Sequence, residues 1–123
     1  MRTAWKIGTI GLVMLSASLC LGMPAKADFM SVARLKEMCS ANAKTGSTPF
    51  QMCQAYIAGV YDFIKSAKGA VEPKVCAPPG VNLKVVVPAV VAHIARLDPK
   101  LDLAKTGAAG VVAAALAAKF PCK

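Results

Sequence analysis

The chain has 123 residues, with 15 lysines and arginines against 6 acidic residues, which gives a formal net charge of +9 at pH 7. This length is enough for one small domain. The basic residues are scattered and rarely alternate with aromatic ones, which argues against nucleic-acid binding and favours either solubility or attraction to an acidic partner or an anionic envelope surface.

The first 27 residues have the pattern of a Sec-type signal peptide. Arg2 and Lys6 precede the apolar segment 7–22, and Ala25-Lys26-Ala27 forms an A-x-A cleavage site. A retained membrane helix is the alternative, but a 16-residue apolar segment is short for a bilayer span. We therefore predict cleavage before Asp28 and a mature periplasmic domain over 28–123, with no membrane span and no nucleic-acid partner.

Four cysteines remain after the predicted cleavage, because Cys20 leaves with the signal. An even number in an oxidising compartment predicts two disulfides, made by Cys39, Cys53, Cys76 and Cys122. A zinc site is the rival interpretation. The absence of any C-x-x-C spacing and the presence of only one histidine argue against it, and the missing C-x-x-C also argues against a thiol oxidoreductase.

The mature sequence begins with two helical patterns. Ser31 is a candidate N-cap for a short first helix within 28–43, where Val32, Leu35 and Met38 or Cys39 form an apolar stripe. Thr48 is the candidate N-cap of a long second helix that runs from 49 to about 68. Pro49 then lies at the first helical position and Gln51 completes a capping box. The apolar stripe of the second helix is predicted from Met52, Cys53, Tyr56, Gly59, Val60, Phe63 and Ala67.

Two further segments complete the predicted bundle. Asn82 can cap a third helix over 83–97, although its valine-rich first half would also suit a strand and Pro88 would kink a helix. A fourth, alanine-rich helix is predicted over 101–119, with Gly107 and Gly110 on a face suited to close packing. Its segment 108–112 is either core or a subunit seam. The fold class is therefore all-α, a small disulfide-bonded bundle of four to five helices.

The bundle topology also favours one pairing of the cysteines among three. The first helix of an up-and-down bundle ends where the second begins, which brings Cys39 near Cys53. The second and fourth helices end at the same pole, which brings Cys76 near Cys122. Both disulfides are then expected to be structural, because each closes a long loop of the unfolded chain.

These motifs together resemble a known family. The core C-x-x-Y-I-x-G-x-x-D contains Cys53, Tyr56, Gly59 and Asp62, a C-x-P-x-G-V segment begins at Cys76, and the chain ends with Phe120-Pro121-Cys122. This pattern is similar to the Rap/Tai family of immunity proteins associated with type VI secretion. The resemblance implies a helical, disulfide-bonded periplasmic protein that protects the producing cell by binding a peptidoglycan-cleaving amidase effector, often as a homodimer.

The motif residues have structural interpretations. Tyr56 is expected in the core with its hydroxyl bonded at the edge, and Gly59 is expected to let another helix approach. Asp62 either pairs with Lys65 or ties the Cys76 loop to the second helix, and His93 is expected to be partly buried and structural. Phe120 and Pro121 complete this set of motif residues.

No set of residues suggests catalysis, a cofactor or a metal site, so we predict a binding protein and not an enzyme. Its partner-binding residues are expected on two exposed loops, with candidates Lys44, Thr45, Ser47, Glu72 and Lys74. The alternative function is a periplasmic helical chaperone or envelope stress protein with no toxin partner.

Overall fold

Four α-helices form the secondary structure of the part of the chain that the computed structural model describes, residues 29–40 and 46–123. They are α1 (Val32–Ser40), α2 (Thr48–Ser66), α3 (Leu83–Ala95) and α4 (Ala108–Lys119). The described residues contain no strand; an isolated bridge joins Ser31 to Gly107. The predicted all-α class is confirmed, while the predicted signal segment 1–27 lies outside the described residues.

All six pairs of helices are in contact, so the bundle has one shared core. Within the described residues the buried side chains are all apolar, and no polar or charged residue is buried. The largest fully buried side chains are Leu35, Met38, Ile57, Leu116, Val32, Val86, Val90, Val112 and Cys53. Every helix contributes to this set, and burial of this apolar surface is therefore the main stabilising force.

Two disulfides close the bundle. Cys39 at the end of α1 is bonded to Cys53 in the first half of α2, with 5.2 Å between the Cα atoms. Cys76, in the loop after α2, is bonded to Cys122 beyond α4, with a Cα separation of 5.0 Å. This is the pairing that the bundle topology favoured.

Side chains cap two of the helices as predicted. The backbone N–H of Arg34 donates to Ser31 Oγ (3.2 Å) at the start of α1, and the N–H of Lys84 donates to Asn82 Oδ1 (3.0 Å) at the start of α3. The predicted capping box of α2 is wrong. The helix begins at Thr48, so Ser47 occupies the N-cap position and its side chain makes no capping bond.

The asparagine cap gives a direct test of the start of α3. We expect Asn82→Ala to lower the free energy of unfolding by about 1 kcal/mol, because the substitution removes the acceptor for the Lys84 N–H. Ser47→Ala is the matched control and should leave stability nearly unchanged, since Ser47 Oγ makes no hydrogen bond. Urea unfolding followed by circular dichroism measures both, and equal losses in the two variants would contradict the capping argument.

The buried face of α2 differs from the predicted stripe. Cys53, Ile57 and Ile64 are buried, whereas Met52 and Phe63 are 48% and 62% exposed. The disulfide joins Cys53 to α1, so the side of α2 that carries Cys53 faces the core. The adjacent side, which carries Met52, faces solvent. The predicted packing role of Gly59 is therefore wrong: Gly59 is exposed, and a Cβ built on it would meet no atom within 4 Å.

The fourth helix is shorter than predicted. Residues 98–107 form turns in which Asp98 accepts from the N–H of Lys100 (2.8 Å) and Asp102 from the N–H of Ala104 (3.1 Å). Such local side-chain bonds compete with a helix, and α4 begins only at Ala108. Gly107 is its N-cap and forms the bridge to Ser31, while Gly110 is exposed with open space around it. The close-packing prediction is therefore wrong for Gly110.

The valine-rich third segment is a helix, as predicted, and Pro88 lies inside it. The proline is exposed, while Val86, Val87, Val90 and Ile94 are buried. The helical period of these buried positions explains why the segment is not a strand: they form one face at a spacing of three and four residues. In α4, Ala108 and Val112 are fully buried, which makes them part of the core.

Candidate protein-binding surface

The described residues offer no constellation that suggests chemistry. They contain no group of three or more His, Cys, Asp or Glu side chains that could hold a metal ion. The core they form is entirely apolar. The polar and charged side chains of the described residues lie at the surface or only partly buried, where another molecule can contact them.

Residues 67–82 form the loop between α2 and α3, which contains Cys76 of the Cys76–Cys122 disulfide. Several contacts hold this loop against the rest of the bundle. The N–H of Cys76 donates to the carbonyl oxygen of Phe120 (2.9 Å), next to the disulfide. From the α2 side, Lys65 Nζ donates to the carbonyl oxygen of Ala77 (3.4 Å). The loop is thus attached to both α2 and the segment after α4, although it contains no helix of its own.

A cavity of about 280 Å³ opens between this loop and the end of α2. Lys65, Lys68 and Lys74 line it, and Ile64 and Val75 provide its apolar part. The carboxylate of Glu72 lies 4.0 Å from the ammonium group of Lys74 in an exposed ion pair. We call this area the basic loop surface. Its excess of ammonium groups suits contact with an acidic protein surface.

Of the predicted partner-binding residues that the structure describes, Ser47 lies apart from Glu72 and Lys74. Glu72 and Lys74 are exposed on the basic loop surface. Ser47 lies at the opposite end of α2, which has 19 residues and is therefore about 28 Å long. Its hydroxyl oxygen is buried and makes no hydrogen bond. Lys44 and Thr45 lie outside the described residues.

The motif residues are mainly structural where the structure describes them. Tyr56 is half-buried and packs against the core. Phe120 is buried, and its carbonyl oxygen holds the Cys76 loop, while Pro121 is exposed between Phe120 and the disulfide. The F-P-C ending therefore attaches the basic loop surface to α4.

Both interpretations of Asp62 are wrong. Its side chain is exposed and forms no ion pair or hydrogen bond with a described residue. Lys65 makes the connection to the Cys76 loop instead, by its bond to Ala77. The reason is geometric: Asp62 lies on the solvent side of α2, whereas Lys65 follows the buried Ile64 and points towards the loop.

Sequence reasoning did not single out Lys65 or Lys68 as binding candidates. Lys65 lies in the last turn of α2, and Lys68 lies just beyond it, directly before Gly69. This spacing at the end of a helix is the sequence signal that could have identified them. Cations at such positions stabilise a helix C-terminus, which is the ordinary explanation for them. Only the folded loop shows that they also line a cavity.

Comparison with known proteins gives one family. The family model described as Rap1a immunity proteins matches residues 31–122. This range contains all four paired cysteines, all four helices and the basic loop surface. No match was found among the curated proteins or among the solved structures. Among the described helices, none is long and apolar enough to cross a membrane.

Proposed function

We propose, since the chain belongs to the Rap1a immunity protein family, that it is a periplasmic immunity protein whose partner is a peptidoglycan-cleaving amidase effector of type VI secretion. Family membership implies that the chain is an immunity-type protein with a protein effector as its partner. The match over residues 31–122 is the observation that carries this conclusion. The amidase and the periplasm come from the resemblance to Rap/Tai proteins and from the export signal predicted over residues 1–27.

The two disulfides support a location outside the cytoplasm. All four cysteines between residues 29 and 123 are paired, and such bonds form and persist in oxidising compartments. A cell wall amidase delivered by another cell would act in the same compartment. The proposed location and the proposed target are therefore consistent with each other.

In this proposal the protein performs no chemistry and acts by covering the effector's active-site cleft. Protection then depends on mass action, because the fraction of effector left free falls with the concentration of immunity protein relative to the dissociation constant. The protein needs a stable surface of the right shape and charge for this task. The basic loop surface is a candidate for this role, because a disulfide and a backbone hydrogen bond hold it in place.

A pulldown from the periplasmic fraction with the purified, oxidised protein tests the proposal. We expect recovery of a peptidoglycan amidase from the producing strain or its close relatives, and full inhibition of that enzyme at a stoichiometric ratio. The readout is release of peptides from purified peptidoglycan. A captured amidase that stays fully active with the immunity protein bound would contradict active-site occlusion.

The basic loop surface can be tested with the same enzyme. We expect Lys68→Gln/Lys74→Gln to weaken effector binding by about tenfold, which corresponds to the loss of one close charge pair worth about 1.5 kcal/mol. The matched control is Lys84→Gln/Lys100→Gln, which removes two exposed lysines that do not line this cavity. Isothermal titration calorimetry gives both dissociation constants. Equal affinities in the two double variants would place the interface elsewhere.

A further inference from the structure

A second basic depression lies between α3 and α4, separate from the basic loop surface. It has a volume of about 250 Å³ and shares no lining residue with the first cavity. Four alanines and three basic side chains line it. The alanines are Ala89, Ala92, Ala115 and Ala118, and the basic side chains are His93, Arg96 and Lys119. We call this depression the α3–α4 groove.

No acidic residue lines the α3–α4 groove. His93, Arg96 and Lys119 also form no ion pair with a described residue. The chain holds only 6 acidic residues in all. The positive potential of Arg96 and Lys119 is therefore left for an external anion to neutralise.

The ordinary explanation for such cations is stabilisation of helix ends. Arg96 is the C-cap residue of α3 and Lys119 is the last residue of α4, where positive charge is favourable. Neither side chain, however, donates a hydrogen bond to a carbonyl group of the described residues. Their donors therefore remain available, in contrast to Lys65, whose ammonium group is already bonded to Ala77.

The shape of the groove selects among anions. Alanine side chains leave a recess that one carboxylate-bearing side chain can enter, and Arg96 offers a planar pair of N–H donors that matches a carboxylate. A protein surface that binds a lipid bilayer is expected to have basic side chains that protrude around an apolar tip, and not a recess. The recess is therefore better suited to an acidic segment of a protein than to a bilayer.

We propose that the α3–α4 groove binds a carboxylate of an acidic segment in the protein partner, with Arg96 and Lys119 as the anion-binding residues and His93 as an additional donor. The inference rests on the proposed function for the natural source of the carboxylate. Its test uses only the chain itself and a peptide, so it can fail while the immunity function stands.

The test is a titration of the ¹⁵N-labelled, oxidised protein with a capped hexaglutamate peptide, followed by NMR. We expect saturable shifts at the backbone amides of Ala92, Ala115 and Ala118, and none with a hexaglutamine peptide. Arg96→Gln/Lys119→Gln should weaken binding at least about tenfold, because two charge-assisted hydrogen bonds are lost. Lys84→Gln/Lys100→Gln removes the same charge outside the groove and should leave the dissociation constant within about twofold.

A second variant keeps the charge and fills the recess. Ala118→Leu should also weaken peptide binding, since Ala118 is an exposed residue that lines the groove and a larger side chain there would occupy the recess. The helix should tolerate the change, because leucine is a good helix former. Shifts spread over the whole basic surface, or equal losses in the two double variants, would overturn the proposal in favour of non-specific charge attraction. Binding to vesicles containing phosphatidylglycerol without binding to the peptide would overturn it in favour of a membrane surface.

The outcomes separate this proposal from the immunity function. If the peptide does not bind but the amidase is captured and inhibited, the groove proposal is wrong and the immunity proposal stands. If the peptide binds in the groove and no amidase is captured, the carboxylate site is real and the proposed partner is wrong. Circular dichroism of each variant verifies that its fold is retained.

Discussion

Removal of the disulfide between Cys76 and Cys122 should lower the free energy of unfolding by about 4 kcal/mol, according to the loop-entropy model for a sequence separation of 46. The bond between Cys39 and Cys53 closes a separation of only 14, for which the same model gives about 3 kcal/mol. Small domains have a total stability of about 5–15 kcal/mol. Each disulfide therefore contributes a large share of the stability of this protein.

The two bonds differ in their surroundings, and this difference shapes the experiment. Cys76 and Cys122 are exposed, so replacing both with alanine removes the bond and little packing. Cys39 and Cys53 are buried, so alanine there also removes core contacts. The Cys76→Ala/Cys122→Ala variant is thus the cleaner measurement of loop entropy, by urea unfolding of the oxidised protein.

The Cys76→Ala/Cys122→Ala variant should also bind the effector more weakly, beyond the effect expected from its lower stability. Without the bond, the 67–82 loop keeps its hydrogen bonds to Phe120 and Lys65 and the packing of Ala77 into the core, but loses its covalent attachment to the segment after α4. Effector affinity should then fall, because the loop must be ordered again on binding. A stability loss below about 1 kcal/mol would contradict the structural role of this disulfide.

Truncation of Ile57 should destabilise the protein by about 2–5 kcal/mol, because its side chain is fully buried in the shared core and alanine leaves a cavity. The matched control is Phe63→Ala on the same helix. Phe63 is larger than Ile57 but 62% exposed, so its truncation should change stability by no more than about 0.5 kcal/mol. Urea unfolding of both variants compares the two faces of α2 directly.

This comparison decides between the predicted and the observed orientation of α2. The sequence pattern places Phe63 in the apolar stripe, whereas the structure buries Ile57 and Ile64 instead. If Phe63→Ala proved the more destabilising of the two substitutions, the observed orientation would be wrong. A small effect at both positions would argue against tight core packing around α2.

Several features of the fold follow from the sequence because their causes are local. Ser31 and Asn82 cap α1 and α3 through bonds to residues two or three positions along the chain. The all-α class follows from apolar residues at helical spacing, and the cysteine pairing follows from the order of the helices. The family was predicted from three cysteine-containing motifs, at Cys53, Cys76 and Cys122, and the match over residues 31–122 confirms it.

Other features depend on contacts between distant segments. Apolar residues lie on several sides of α2, so periodicity alone does not decide which side is buried. The contacts of α2 with the other three helices, including the bond from Cys53 to α1, decide it. In α4 alanine and valine occur all around the helix, and its start is bonded to a distant segment: the N–H of Ala108 donates to the carbonyl oxygen of Met30 (2.9 Å).

The two basic depressions illustrate the same distinction at the surface. The sequence determined the excess of basic residues, the capped helices and the cysteines, because composition and short spacings are properties of the chain itself. Only the tertiary structure places Arg96 and Lys119 in the lining of one depression, and Lys68 and Lys74 in the lining of another. A groove is formed by side chains from different elements. Its charge depends on which basic residues have no acidic residue nearby once the elements have packed together.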